Sequence, residues 1–131
     1  MIWLHKNDNG GALVPDSLIL PRKADTAYVA GTALVLSGGV AVAATGETKP
    51  QYIAYSNNAA NDGSELVAYA VSETMRFEAP LTAYASGVIS GAKLTLSADG
   101  KGVTATTGGH CVVVDTMNAK AAGDKIIIKI E

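Results

Sequence analysis

The stretch SGAKLTLSADGKGVTATTGG at residues 90–109 repeats, with small changes, the stretch AGTALVLSGGVAVAATGE at residues 30–47. Aligning the two on their first glycines and allowing a longer turn in the second copy places Val40 on Val103. In both copies, Gly-x-x-Leu-x-Leu-Ser is followed by a glycine-rich turn and by small or β-branched residues. This pattern predicts a strand, a hairpin turn and a second strand. The chain is therefore expected to contain one β unit twice.

The similarity of the two copies extends past the hairpins. The first copy continues with KPQYIAYSN at residues 49–57 and LVAYAVS at residues 66–72, and the second with GHCVVVD at residues 109–115 and KIIIKIE at residues 125–131. These short runs, rich in β-branched residues, favour strands over helices. Between the copies, a proline-containing segment at residues 76–81 alternates in polarity and is predicted to be an edge strand or a crossover.

Composition indicates a single all-β domain. The chain has 131 residues, of which 48% are hydrophobic and 14 are glycine, and this suits short strands joined by tight turns. A unit of four strands leaves open edges, whereas two such units facing each other bury them. We therefore predict a small β-barrel or a β-tulip or sandwich at residues 26–131, built from two similar halves at about residues 29–78 and 89–131. An extended N-terminal arm is predicted at residues 1–25.

The predicted arm combines turn residues with apolar anchors. An arm with apolar side chains needs a surface on which to lie. Packing on this chain's own β domain and docking on a partner both remain open. In the docking interpretation, the partner-binding residues are Ile2, Trp3, Leu4, Leu18 and Leu20.

Charge and hydropathy argue against several partners. The net charge of −2 gives no electrostatic attraction for nucleic acid. Glycines interrupt every long apolar window, so no membrane span is predicted. The N-terminus lacks the pattern of a secretory signal, and a single cysteine, Cys111, excludes an intramolecular disulfide, which fits synthesis in the cytosol.

No motif in the chain predicts catalysis. Glu47 stands where a phosphate-binding loop needs its lysine. His110 and Cys111 are adjacent and would point to opposite faces of a strand, so Cys111 is interpreted as a core residue and His110 as a surface or turn residue. We expect a protein that is not an enzyme, with no catalytic residues, no cofactor and no metal.

Two segments allow weak alternative interpretations. The loop at residues 57–65 is rich in oxygen atoms but lacks the ordered pattern of a calcium loop, and Asp62-Gly63 is better explained as a turn. Tyr52, Tyr55 and Tyr69 would form a sugar-binding platform if they shared one face, although tyrosine in strands commonly serves packing.

The chain resembles a known family in its glycine-punctuated, Ala- and Val-rich repeats. The half-repeat VAGTALVLSGGVAVA at residues 29–43 and the ending AAGDKIIIKIE at residues 121–131 follow a proline-containing arm. In these features, about residues 12–131 look like the small head decoration, or capsid cement, proteins of tailed bacteriophages. The turn and strand signatures that carry the resemblance include Gly31 and Gly91.

The resemblance implies a non-enzymatic structural protein that binds the outer surface of an assembled phage or prophage head and stabilises it. Its partner would be the major capsid protein, on which the N-terminal arm can become ordered, and a homotrimer is the favoured oligomer. The protein would be made in the host bacterial cytoplasm and end on the capsid surface of the virion. The alternative function is a carbohydrate- or cell-surface-binding β module of the fibre or adhesin kind. A small hydrolase or isomerase ranks behind both.

Overall fold

The computed structural model describes residues 1–8 and 16–131. Within these residues the chain is all-β without helices, as predicted. The strands are β1 (Trp3–Asn7), β2 (Ser17–Leu20), β3 (Ala33–Ser37), β4 (Val40–Ala43), β5 (Tyr52–Ala54), β6 (Leu66–Ala70), β7 (Met75–Pro80), β8 (Lys93–Leu96), β9 (Val103–Thr107), β10 (Cys111–Asp115) and β11 (Lys125–Ile130). The middle of the predicted arm, residues 9–15, lies outside the described part of the chain. No helix able to cross a membrane occurs in the described ranges.

The strands form two antiparallel sheets packed as a sandwich. The larger sheet has six strands in the order β1-β7-β11-β10-β8-β9, and the smaller has five in the order β2-β6-β5-β3-β4. If β1 is left out, the two orders match position by position. β7, β11, β10, β8 and β9 of the larger sheet then correspond to β2, β6, β5, β3 and β4 of the smaller sheet. The predicted duplication into two similar halves is thus confirmed, but the predicted bounds of about residues 29–78 and 89–131 are wrong. The first half also includes β2, and β7 belongs to the second half. Neither sheet closes into a barrel, so the sandwich is the predicted form that is observed.

Backbone hydrogen bonds repeat between the halves. The N–H of Gly31 donates to the carbonyl of Ala54 at 2.8 Å, and the N–H of Gly91 donates to the carbonyl of Val113 at 2.8 Å. Both glycines have positive φ, +83° and +88°, a conformation that costs glycine little. The same turn therefore starts β3 and β8.

Strand register corrects one detail of the sequence alignment. In the first hairpin Leu36 pairs with Ala41, and in the second Leu96 pairs with Val103. Val103 is therefore equivalent to Ala41 and not to Val40. The second turn is therefore longer than the first by two residues, not by the three that the sequence alignment implies.

The segment between the repeats is not at an edge. β7 pairs with β11 on one side and with β1 on the other, so the prediction of an edge strand or crossover is wrong. Each half consequently has five strands rather than four, with β2 and β7 as the added equivalents. Pro80 is tolerated because it is the last residue of β7.

Two apolar clusters hold the sandwich together. The larger cluster draws on both sheets, and within it the ring of Tyr69 from β6 stacks on that of Phe77 from β7 at 6.5 Å. The smaller cluster draws on strands of the five-stranded sheet. The equivalent residues Leu34 and Leu94 belong to different clusters. The two halves thus pack through non-equivalent faces, and the smaller sheet is buried on both sides.

Candidate docking edge

The five residues predicted to dock on a partner differ in their exposure. Ile2 and Leu20 are 0% and 7% exposed and belong to the two clusters of this chain's own core. Leu4 is partly buried against the larger cluster. Trp3 and Leu18 are 52% and 42% exposed. The described parts of the arm therefore form strands on this chain's own sheets, and they leave Trp3 and Leu18 on the surface.

β1 covers the outer edge of the larger sheet. It pairs antiparallel with β7, with Leu4 opposite Phe77 and Trp3 opposite Glu78. Phe77 is fully buried at 0% exposure, whereas Glu78 on the other face is partly exposed and lies 3.2 Å from the Nζ of Lys125. The arrangement is that of an interior strand with one apolar face and one polar face.

β2 occupies the place of β7 in the smaller sheet. Leu20 of β2 pairs with Leu66, and Ala79 of β7 pairs with the equivalent residue Ile126. β2 is the outermost strand of its sheet, and no described strand pairs with its outer edge. The smaller sheet therefore presents an open edge where the larger sheet carries β1, and we call residues 17–20 the β2 edge.

The β2 edge is apolar on both faces. Leu18 stands at the position of Phe77 and is 42% exposed where Phe77 is 0% exposed. Ile19 stands at the position of Glu78 and is 63% exposed, the largest exposed fraction among the exposed large apolar side chains of the described residues. Sequence inspection passed over Ile19 because the run Leu-Ile-Leu gives no polar residue to mark an outer face. An outermost strand with exposed apolar side chains is the kind of edge at which another strand can add.

An open groove continues from the end of the β2 edge. Its volume is about 580 Å³, with one wall from residues 19–24 and the other from residues 61–66. Lys23 and Glu65 are exposed on its rim. The edge and the groove together form one elongated surface.

Arg22 fixes the loop that forms the second wall. Its guanidinium donates to Asp62 Oδ1 at 2.7 Å, to the carbonyl of Ser64 at 2.8 Å and to the carbonyl of Ala59 at 2.6 Å. Hydrogen bonds from Ser64 and from Arg22 hold the pKa of Asp62 well below its usual value. The carboxylate that a calcium ion would need is thus already engaged inside the loop.

The three tyrosines do not form one platform. Tyr69 is buried in the larger cluster, while Tyr52 packs against the smaller cluster on the opposite face of the sheet. Tyr55 is 52% exposed and meets Tyr69 edge-on, with ring centroids 6.5 Å apart. Only Tyr55 of the three presents its ring to solvent.

Cys111 and His110 are adjacent in the sequence but have different surroundings. Cys111 is 1% exposed, and burial raises the pKa of its thiol to about 12. His110 Nδ1 lies 2.8 Å from the carbonyl oxygen of Glu131. The thiol is a core group, as predicted.

The described residues contain no group of three or more His, Cys, Asp or Glu side chains placed to hold a metal ion. Comparison with protein-family models, with curated proteins and with solved structures found no match to this chain. The apolar β2 edge lies beside the groove, and of the residues predicted to dock on a partner, Trp3 and Leu18 are exposed.

Proposed function

We propose that this protein is a non-enzymatic structural protein that binds the outer surface of an assembled phage or prophage head and stabilises it. One observation carries the proposal: the N-terminal strands keep large apolar side chains on the surface. Trp3, Leu18 and Ile19 are 52%, 42% and 63% exposed although the chain has a well-filled core elsewhere. Large exposed apolar side chains at neighbouring positions of an outermost strand, as at Leu18 and Ile19, are typical of docking surfaces.

Repetition over a lattice makes such modest contacts sufficient. Burying an exposed leucine or isoleucine contributes on the order of 1 to 2 kcal/mol, which alone gives weak binding. A capsid presents the same major capsid protein many times, and a homotrimer engages several copies together, so the contacts act with a high effective concentration. In this proposal the protein is made in the host cytoplasm and acts on the capsid surface.

Co-sedimentation tests the proposal. Purified protein is mixed over a range of concentrations with mature, undecorated heads of the phage or prophage of its source strain. We expect saturation at a fixed ratio of protein to capsid subunit, and a ratio of one to one at threefold positions would favour trimers. Absence of pelleting with fully expanded heads would contradict the proposal.

Matched variants distinguish specific docking from non-specific hydrophobic binding. The double variant Trp3→Ala with Leu18→Ala is expected to weaken binding by about tenfold or more, because hot-spot side chains dominate such interfaces. Ile89 is 59% exposed and lies in a loop outside the N-terminal strands, so Ile89→Ala serves as the control and is expected to bind like the wild type.

A carbohydrate-binding module is the second candidate, favoured by the exposed ring of Tyr55. Contact with Tyr69 orients that ring, and sugars stack on oriented aromatic faces. A glycan array showing saturable binding that Tyr55→Ala abolishes would support it. Tyr84→Ala, at a ring 45% exposed, is the control.

A further inference from the structure

We infer that the β2 edge accepts an extended strand from the shell protein, which adds to the smaller sheet as β1 adds to the larger one. Naming the shell protein as the source rests on the proposed function. The inference that the edge accepts a strand rests on the internal duplication alone.

The open part of β2 has the length that β1 occupies on β7. β1 pairs with the first four residues of β7, which are equivalent to residues 16–19. Beyond this point both halves continue alike, with a parallel bridge from Leu81 to Val103 in one and from Arg22 to Ala41 in the other. The strand that would pair with β2 is the one feature that the first half lacks among the described residues.

Two side chains of the β2 edge are more exposed than the apolar residue at the equivalent place in β7, and an added strand would cover them. Phe77 is fully buried, and Leu4 of β1 lies directly opposite it. Leu18, in the same position, stays 42% exposed without such a neighbour. Ile19 lies on the same face as Tyr69, which turns toward the larger sheet, and it is nevertheless 63% exposed. A strand laid on β2 would cover both apolar side chains.

The expected occupant is a short extended segment with apolar side chains on both faces. β1 is the template, because its Leu4 and Trp3 lie opposite the residues equivalent to Leu18 and Ile19. Pro21 follows the edge and has no N–H to donate, so pairing is confined to about four residues. Backbone hydrogen bonds supply affinity in this mode of recognition, and the alternate side chains supply specificity.

A second copy of this chain fits the β2 edge less well than a foreign strand does. The β1 strand of another copy is already paired with its own β7, and this pairing would have to break. A heterologous segment needs no such exchange. The groove beside residues 61–66 gives the following residues of that segment a place to continue.

A peptide with the β1 sequence tests whether the edge accepts a strand. The probe is a synthetic, fluorescently labelled MIWLHKND, residues 1–8, titrated with the full-length protein and followed by anisotropy. We expect saturable binding that Ile19→Lys weakens by about tenfold or more, because a charge at this position would be buried by the added strand. Ile89→Lys introduces the same charge at an isoleucine of similar exposure, 59%, and should bind like the wild type.

The outcomes separate the two claims. Absence of saturable peptide binding, or equal affinity for Ile19→Lys and the wild type, would overturn the strand-accepting edge. Self-association of the wild type that Ile19→Lys abolishes would overturn the shell strand as occupant in favour of a second copy. Heads that bind the wild type and Ile19→Lys equally would overturn this mode of docking and leave the proposed function intact. Peptide binding without any binding to heads would support the strand-accepting edge and contradict the proposed function.

Discussion

Single residues decide how closely the strands of this sandwich approach. Gly109 precedes β10 and faces the backbone of β8, where an added Cβ would lie 2.6 Å from the carbonyl carbon of Leu94 and 2.7 Å from the Cα of Thr95. Backbone atoms in a sheet cannot move aside as the end of a flexible side chain can. The φ of Gly109 is not in the left-handed region, so backbone conformation does not require a glycine here. The lack of space for a Cβ does.

Gly109→Ala is therefore expected to lower the free energy of unfolding by about 2 to 3 kcal/mol through overpacking. Urea unfolding followed by far-ultraviolet circular dichroism measures the change. Gly87→Ala is the matched control, since a Cβ there meets no atom within 4 Å. Equal stability of the two variants would contradict the close approach.

The carboxylate of Asp62 gives the fold a pH dependence with a definite sign. Its hydrogen bonds to Ser64 and Arg22 depress its native pKa below the ordinary value of 3.8. The stabilising contribution is complete above the unfolded-state value near 3.8 and is lost as pH falls through the native pKa.

Asp62→Asn should consequently lower the melting temperature at pH 7 and should flatten the fall in melting temperature below about pH 4. Scanning calorimetry at pH values from about 2.5 to about 7 measures both effects, because this range extends to both sides of pH 4. Glu73→Gln at an exposed position is the control. An unchanged slope for Asp62→Asn would show that the loop contacts are not maintained in solution.

At the scale of the elements, the two halves differ most at their first strands. β7 lies between β1 and β11, while β2 has β6 on one side and no described strand on the other. A side chain at the same position of the duplicated unit is therefore expected to contribute differently to the free energy of unfolding in the two halves.

Phe77→Ala is expected to cost about 3 to 5 kcal/mol of stability, because the fully buried ring leaves a cavity. Leu18→Ala at the equivalent position should cost about 1 kcal/mol or less, since the side chain is 42% exposed. Chemical unfolding of both variants gives the comparison. Similar losses would mean that the β2 edge is covered in the free protein.

Sequence patterns predicted most elements because alternation and turn residues coincide in them. The hairpins β3-β4 and β8-β9 and the buried strands β10 and β11 were predicted in this way. The equivalence of β2 and β7 was missed since SLIL and MRFEAP share little except a closing proline, which is Pro21 just after β2 and Pro80 at the end of β7. The covering of β7 was missed because it depends on β1, which is distant in sequence and lacks a counterpart in the repeat.

The candidate site was predicted only in part for a related reason. Apolar residues near the N-terminus marked the right segment, but exposure within it depends on pairing across the sheet. Ile2 and Leu20 are buried by their own sheets, while Ile19 is left outside. The alternation rule needs a known inner face, and a three-residue apolar run does not provide one.

At the scale of the whole molecule, the duplication explains both the fold and its asymmetry. Two copies of a five-stranded unit pack through non-equivalent faces, and a single additional strand completes one of them. Among the described residues, the copy that lacks this additional strand has β2 as the outermost strand of its sheet. That edge is the structural basis on which we propose docking to a shell.

Hydrogen–deuterium exchange of the free and the head-bound protein tests this proposal most directly. We expect amides at residues 17–20 to exchange more slowly on the head, because an added strand takes their hydrogen bonds, and amides of β1 to change little. Saturable binding to heads with unchanged exchange at residues 17–20 would contradict docking through the β2 edge.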